Sequence, residues 1–254
     1  MFKNIIADYE AARPGYPDAL FCDILACSDR IGPLDILEIG AGPGQASDYF
    51  VRNGFRLTAL EISQPQVDYL ESKYFEYPNF RAVCSRFEDF SADEASFDII
   101  FSATAFHWIA PEVGYPKAYR LLRRGGVLAV FWHLASILEP PTEMLQQIRA
   151  IYREIAPELD DYLNIDAAEE LHQLRLKQIQ TGALFHQPVS RVYRWEDIYT
   201  TQRYLKLMNS YSDFHSISSE KREEIQSQVA AYIKSKGGSI VIPQEVRLYL
   251  AIKE

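Results

Sequence analysis

An apolar run that ends in an acid and then in three alternate glycines constrains this chain more than any other stretch: Leu34-Asp-Ile-Leu-Glu38-Ile-Gly40-Ala-Gly42-Pro-Gly44-Gln45. Leu34, Ile36, Leu37 and Ile39 leave little polar face, which predicts a strand buried on both sides. The glycines let the backbone turn sharply and lie against a ligand, because no Cβ stands in the way. Gln45-Ala-Ser-Asp-Tyr-Phe50-Val51 then begins a helix. Strand, glycine turn and helix together form the first half of a nucleotide-binding βαβ unit.

The strand–helix rhythm continues beyond it. Strands are predicted at Leu57–Ile62, Phe80–Cys84, Phe97–Phe101 and Val127–Trp132, with a helix after Ser63 and another over Ala118–Leu122. Asp18 opens an earlier helix through Ile24, after the break at Arg13-Pro-Gly-Tyr-Pro17; Phe2 to Ile6 form an apolar opening segment. After His133 the pattern changes to two amphipathic helices, one begun by Pro140-Pro141-Thr142 and one by the capping-box sequence Asp166-Ala-Ala-Glu169. Strands return at Val189–Trp195 and, with regular alternation, at Glu245–Ile252; helices around Ile198–Leu207 and Ser219–Ile233 lie between them. The expected fold class is α/β: a doubly wound, mostly parallel seven-stranded sheet of Rossmann-like type, with an antiparallel last strand and a helical lid insertion. At 254 residues the chain reads as a single domain, 1–254, with a core at 1–133 and 183–254 and the lid at 134–182 over the cleft.

Composition narrows the partners. A net charge of −9 without a basic patch argues against nucleic acid, whose phosphates repel an acidic chain. Cys22, Cys27 and Cys84 are unpaired in spacing and give no metal site. Asp8, Glu10, Arg13 and Pro14 interrupt any signal-peptide core, and no run is long enough for a membrane span. The expectation is a cytoplasmic protein without metal or membrane partner, a monomer or weak dimer.

Two nucleotide loops fail on their residues. A P-loop requires Gly-Lys-Ser/Thr where this chain has Gly44-Gln-Ala. The dinucleotide fingerprint requires a third Gly or Ala, and the frames from Gly40 and Gly42 put Gln45 and Ser47 there. Pro43 also removes a backbone N–H. Glu38-x-Gly40-x-Gly42-x-Gly44 resembles the signature loop of class I S-adenosylmethionine-dependent methyltransferases. The likeness continues through Glu61 at the end of the second strand, Phe87-Glu88-Asp89 after the third, Ser96 to Trp108 around the fourth, and Leu121 to Val127 at the fifth. Tyr9 through Tyr16 is similar to the opening of the small-molecule branch that includes trans-aconitate methyltransferases.

This resemblance implies S-adenosylmethionine as cofactor and a small-molecule methyl acceptor. It places Glu38 toward the cofactor's ammonium, Glu61 on the ribose hydroxyls, and Tyr9 and Arg13 in closing over the cofactor. Gly40, Ala41, Gly42, Gly44, Ile62, Phe87, Glu88, Ser102 and Ala103 join them as cofactor-binding residues. Family members often carry an aspartate directly after the third strand for the adenine amino group; Ser85-Arg86 stand here, leaving that contact to Glu88 or to backbone.

His107 lies just past the fourth strand, where the methyl group faces the acceptor, and its ordinary pKa suits proton transfer near neutrality. It is the candidate catalytic residue, against the plainer alternative of a packing histidine bound to a carbonyl. Phe106 and Trp108 are expected to wall the acceptor, with His133 on the same cleft. Asp98 reads as structural, and the tyrosines of the C-terminal half read as core or lid packing. A carboxylate acceptor would require a cationic clamp, for which Arg149, Arg153, Arg175 and Lys177 stand in the lid segment. Whether oxygen, nitrogen, sulfur or carbon is methylated stays open, as do two alternatives: a non-catalytic cofactor-binding scaffold and an NAD-dependent oxidoreductase.

Overall fold

The computed structural model describes residues 6, 9–28, 30, 32–133, 143–159, 166–185, 187–211 and 213–254. The expected opening segment at Phe2–Ile6 falls outside these residues except for Ile6. The Pro140-Pro141-Thr142 helix start also lies outside them.

The parallel part of the sheet follows the apolar runs. Its strands are β1 (Asp35–Ile39), β2 (Arg56–Glu61), β3 (Phe80–Cys84), β4 (Phe97–Ala103) and β5 (Leu122–His133). Between them lie α2 (Ser47–Arg52), α3 (Gln64–Lys73) and α4 (Pro111–Leu121), with α1 (Asp18–Ala26) ahead of β1. Beyond β5 come α5 (Glu143–Ile155), α6 (Asp166–Ile179), β6 (Val189–Thr200), α7 (Thr201–Asn209), α8 (Ser219–Ser235) and β7 (Ser239–Ile252). The seven-stranded sheet has the order β3-β2-β1-β4-β5-β7-β6. β1 to β5 pair in parallel, and β7 runs antiparallel between β5 and β6. The reversal of order at β1 and β4 opens a crevice at the carboxyl ends of the strands, where α/β sheets bind ligands.

Alternation along the strands sorts the core onto two faces. Ile36, Phe101 and Phe131 pack with Leu20 and Phe21 of α1 and Phe50 of α2. Leu37, Ile100 and Val130 pack on the other side with Tyr115 and Leu121 of α4 and Ile179 of α6. Each fully buried side chain of this kind contributes roughly 1.5–3 kcal/mol.

A third apolar cluster stands beyond the sheet. Ile148 of α5, Leu207 and Met208 of α7, and Ile225, Val229 and Ile233 of α8 surround Tyr199, Ile240 and Ile242. The last three belong to β6 and β7, which extend together past the end of β5: His133 pairs with Val246, while β6 and β7 stay paired as far as Thr200 and Ser239. The helix expected around Ile198 therefore begins only at Thr201, capped by the Thr200 hydroxyl, which accepts the Arg203 N–H at 3.2 Å. Strand pairing of Asp197–Thr200 with Ser239–Ile242 overrides the local helical pattern. The two helices read as one cover part company: α5 joins α7 and α8, while α6 packs on the sheet beside α4. Among the described residues, no helix is long and apolar enough to cross a membrane.

At the opposite, amino-terminal edge, buried Asp98 ties three strands. Its Oδ2 accepts the Asp35 N–H at 2.8 Å and the Arg123 guanidinium at 2.7 Å, and Oδ1 meets Arg30 at 2.8 Å. Removing one partner of such a buried pair strands the others. Asp98→Ala is expected to lower the unfolding free energy in urea by about 3 kcal/mol, with the folded circular-dichroism spectrum retained.

Candidate active site

The glycine turn is anchored to β2 by three successive amides. Gly40 and Ala41 both donate to the Leu60 carbonyl at 2.9 Å, and Gly42 donates to Glu61 Oε2 at 2.9 Å. Glu61 Oε1 accepts the Ser63 N–H at 3.0 Å, so this carboxylate joins the turn to the start of α3. The three glycines have different reasons to be there. A Cβ on Gly40 would stand 2.4 Å from the Ala105 Cβ, and one on Gly44 would stand 2.7 Å from Leu70. Both glycines are demanded by neighbouring protein. Gly42 is held at φ +54° with only Gln66 Oε1 near its missing Cβ, at 3.6 Å; its requirement is the left-handed backbone.

Glu38 lies below the turn and is 1 % exposed. The Ser47 hydroxyl at the start of α2 donates to its Oε2. Burial pushes the carboxyl up to about 8 despite that bond, because the charged form loses its hydration. A cation beside it would restore the charge.

Glu38, Gly40, Ala41 and Gly42 line one end of a cavity of about 850 Å³. The extended β6–β7 pair and helices α5 and α7 form the other end, presenting Tyr199, Ile242, Gln244, Ile148, Arg149, Tyr152, Arg153, Tyr204, Leu207 and Met208. Between the two ends passes the segment at residues 9–16. Glu10 accepts from Tyr69 at 2.6 Å and Lys73 at 2.5 Å on the side of the glycine turn. Arg13 donates to the Ser210 carbonyl at 2.8 Å and lies over the rings of Tyr9 and Tyr211 at 5.0 and 4.4 Å. Arg13 Nε is buried without a partner among the described residues.

Of the residues singled out in the sequence, Tyr9, Arg13, Glu38, Gly40, Ala41, Gly42, Ala103, His107 and His133 line this cavity. Gly44 and Glu61 support the turn from behind. Ile62 is 74 % exposed just past Glu61, an apolar platform facing solvent. Others are placed elsewhere. Ser102 is buried and donates to the Ile39 carbonyl at 2.7 Å, joining β4 to β1. Phe87 is buried against Phe106 in the core. Glu88 pairs with Arg86 at 3.0 Å, its carboxyl held below the ordinary range by backbone hydrogen bonding and by that guanidinium.

Phe106 and Trp108 do not wall the cavity. Phe106–Trp108 is a 3₁₀ turn, in which successive side chains point about 120° apart. Phe106 enters the core, His107 reaches the cavity, and Trp108 is 80 % exposed. His107 Nδ1 accepts the indole N–H of Trp132 at 3.0 Å. An indole only donates, so the neutral ring carries its proton on Nε2. Partial burial and the Arg175 guanidinium lower its pKa and favour that neutral form. The free corner of His107 is thus a hydrogen-bond donor, where a base would offer a lone pair. Arg175 is no cavity clamp either: it lies over the Trp132 ring at 4.1 Å, on the far face of the sheet.

Sequence reasoning missed the tyrosines. Tyr16, Tyr152, Tyr199, Tyr204 and Tyr211 all reach the cavity, as does Gln244. For Tyr199 and Gln244 the available signal was alternation in β6 and β7, obscured by ending β6 too early and starting β7 too late.

The comparisons with known proteins agree with this geometry. The family description "Methyltransferase domain" matches residues 37–130, the stretch holding the glycine turn, Glu61 and β4. An uncharacterized methyltransferase-like protein of Schizosaccharomyces pombe is 27 % identical over 239 residues, covering 92 % of this chain and 86 % of that one. The chain carries a methyltransferase domain and is an S-adenosylmethionine-dependent methyltransferase. An uncharacterized methyltransferase of Mycobacterium tuberculosis is 29 % identical over 52 % of this methyltransferase and 51 % of its own length. Among solved structures, a proposed type II methyltransferase from Anaeromyxobacter dehalogenans shares the fold at a TM-score of 0.64, with 20 % identity and coverage of 95 % and 96 %. The cofactor is S-adenosylmethionine, and the site fits it: a left-handed glycine with space beside it, and a buried carboxyl starved of a counter-charge.

The raised Glu38 pKa fixes the sign of two pH effects. In the ligand-free protein the carboxyl holds a proton between pH 4.5 and about 8 that the unfolded chain has released. Its contribution to stability is therefore present below pH 4.5 and lost as pH rises to about 8. The cofactor's ammonium prefers the ionised form, so its affinity should rise over the same window. Glu38→Gln is expected to flatten both trends, read by thermal unfolding and by calorimetric titration at pH 5, 6, 7 and 8.

Proposed function

We propose that this methyltransferase transfers the methyl group of S-adenosylmethionine to a small-molecule acceptor by in-line displacement. One observation carries the reading: a single cavity joins the glycine turn to a chamber walled by tyrosines, arginines and aliphatic side chains. The bound cofactor supplies an already activated methyl group, so the protein's task is alignment, a proximity effect worth several kcal/mol.

In this reading Glu38 faces the ammonium, and Glu61 turns from Gly42 toward the ribose hydroxyls. Ile62 supports the adenine, with Glu88 or nearby backbone at its edge. Tyr9 and Arg13 hold the segment at residues 9–16 across both ligands and exclude water. His107 donates from Nε2 at the rim. The acceptor occupies the chamber bounded by α5, α7 and the β6–β7 extension, and the cover reading of 134–182 is kept for α5 alone. A small acceptor accords with the resemblance to the trans-aconitate branch and with the net charge of −9, which disfavours nucleic acid.

Calorimetric titration tests the cofactor half. S-adenosylmethionine and S-adenosylhomocysteine are expected to bind and NAD to show no heat. Gly42→Val is expected to abolish binding, because a β-branched residue cannot hold the left-handed turn. Binding of NAD, or unchanged affinity in Gly42→Val, would refute the assignment. Transfer of radiolabelled methyl to any member of a metabolite panel separates an enzyme from an inert binder.

A further inference from the structure

The acceptor end of the cavity contains two buried polar groups that the protein leaves unsatisfied. Both ring nitrogens of His133 are buried and have no hydrogen-bond partner among the described residues. The side-chain carbonyl Oε1 of Gln244 is in the same condition, on a residue 2 % exposed. Both residues line the cavity. Leaving such a group unmet is costly, so two in one wall mark a place where something else supplies the partners.

Strand register puts them side by side. His133 pairs with Val246 across β5 and β7, and Gln244 pairs with Trp195 across β7 and β6. Val246 and Gln244 are two apart on one strand and share a face, which makes His133 and Gln244 diagonal neighbours with backbones about 7–8 Å apart. The Trp195 ring lies 5.7 Å from the His133 ring, and Tyr16 packs on the other side at 4.6 Å. Among the described residues, these aromatic walls leave both imidazole nitrogens without a hydrogen-bond partner.

We infer that His133 and Gln244 form a recognition pair for a hydroxyl group on the methyl acceptor; the inference rests on the methyl-transfer reading and names its substrate class. Burial and the nearby Arg13 charge push His133 down to about 4, so at neutral pH the ring is uncharged and keeps one lone pair and one N–H. The lone pair and Gln244 Oε1 both require a donor. A carboxylate brings only lone pairs and leaves the Gln244 carbonyl unmet. An ammonium brings donors but also a positive charge into the field of Arg13, which already disfavours protonation of His133. A hydroxyl donates to Gln244 Oε1 and accepts from the imidazole N–H, meeting one need of each residue without charge. Tyr152, Tyr199, Tyr204, Ile148 and Ile242 around it suit a flat or apolar skeleton.

Phenol, benzoate and benzylamine separate the three chemistries on one skeleton. Each is titrated into ¹⁵N-histidine-labelled protein, both free and saturated with S-adenosylhomocysteine, whose binding is measured first on the same sample. Phenol is expected to move the His133 ring-nitrogen signals saturably, with benzoate and benzylamine leaving them in place at equal concentration. Gln244→Leu is expected to weaken phenol about tenfold while S-adenosylhomocysteine affinity is unchanged. The inference is overturned if phenol leaves His133 unmoved, if benzoate or benzylamine moves it as strongly, or if Gln244→Leu binds phenol like the parent. Failure to bind S-adenosylhomocysteine would instead overturn the cofactor assignment, and the phenol titration of the free protein would still decide the hydroxyl pair.

Discussion

Three consecutive backbone amides bound to the end of one strand hold this molecule's function together. Gly40, Ala41 and Gly42 give their N–H groups to Leu60 and Glu61, so the turn after β1 is positioned by β2 before any ligand arrives. Everything the turn excludes or admits follows. Ala105 packs against Gly40 and Leu70 against Gly44, leaving no room to shift the loop away from the crevice. Glu38 is sealed beneath it, and the energetic strain of that burial is what a cationic ligand can relieve. A preorganised turn over a desolvated acid needs few further groups to hold a sulfonium nucleoside.

The first half of the molecule was open to reading because its signals are local. A buried strand, a run of alternate glycines and an acid at the next strand's end each state their purpose within a dozen residues; β1 to β4 appear where periodicity puts them, and β5 begins at Leu122, ahead of the expected Val127. The second half depends on pairing between distant segments. Asp197–Thr200 reads as the start of a helix until Ser239–Ile242 lies beside it, and no window of sequence contains both. That pairing builds the wall on which Tyr199 and Gln244 stand, so the far end of the cavity stayed hidden while the glycine turn did not.

Side-chain direction caused the other differences. Phe106, His107 and Trp108 are adjacent in sequence and were read as one surface, yet a 3₁₀ turn sends them to core, cavity and solvent. Ser102 and Phe87 likewise lie at the right point along the chain and face protein. His107 shows how a partner on another strand decides chemistry: the Trp132 indole occupies the nitrogen that a proton-accepting role would use. His133, with no such partner among the described residues, retains the lone pair that His107 has committed.

The extension of β6 and β7 past the rest of the sheet separates two inheritances within one cavity. The stretch alike across the wider family, 37–130, ends before His133, before α5 and before the paired strands that carry Tyr199 and Gln244. In the proposed reading, substitutions in that late-encoded annex reshape what is methylated without disturbing the glycine turn. A single fold is thereby free to diversify its chemistry at one end while the other stays fixed.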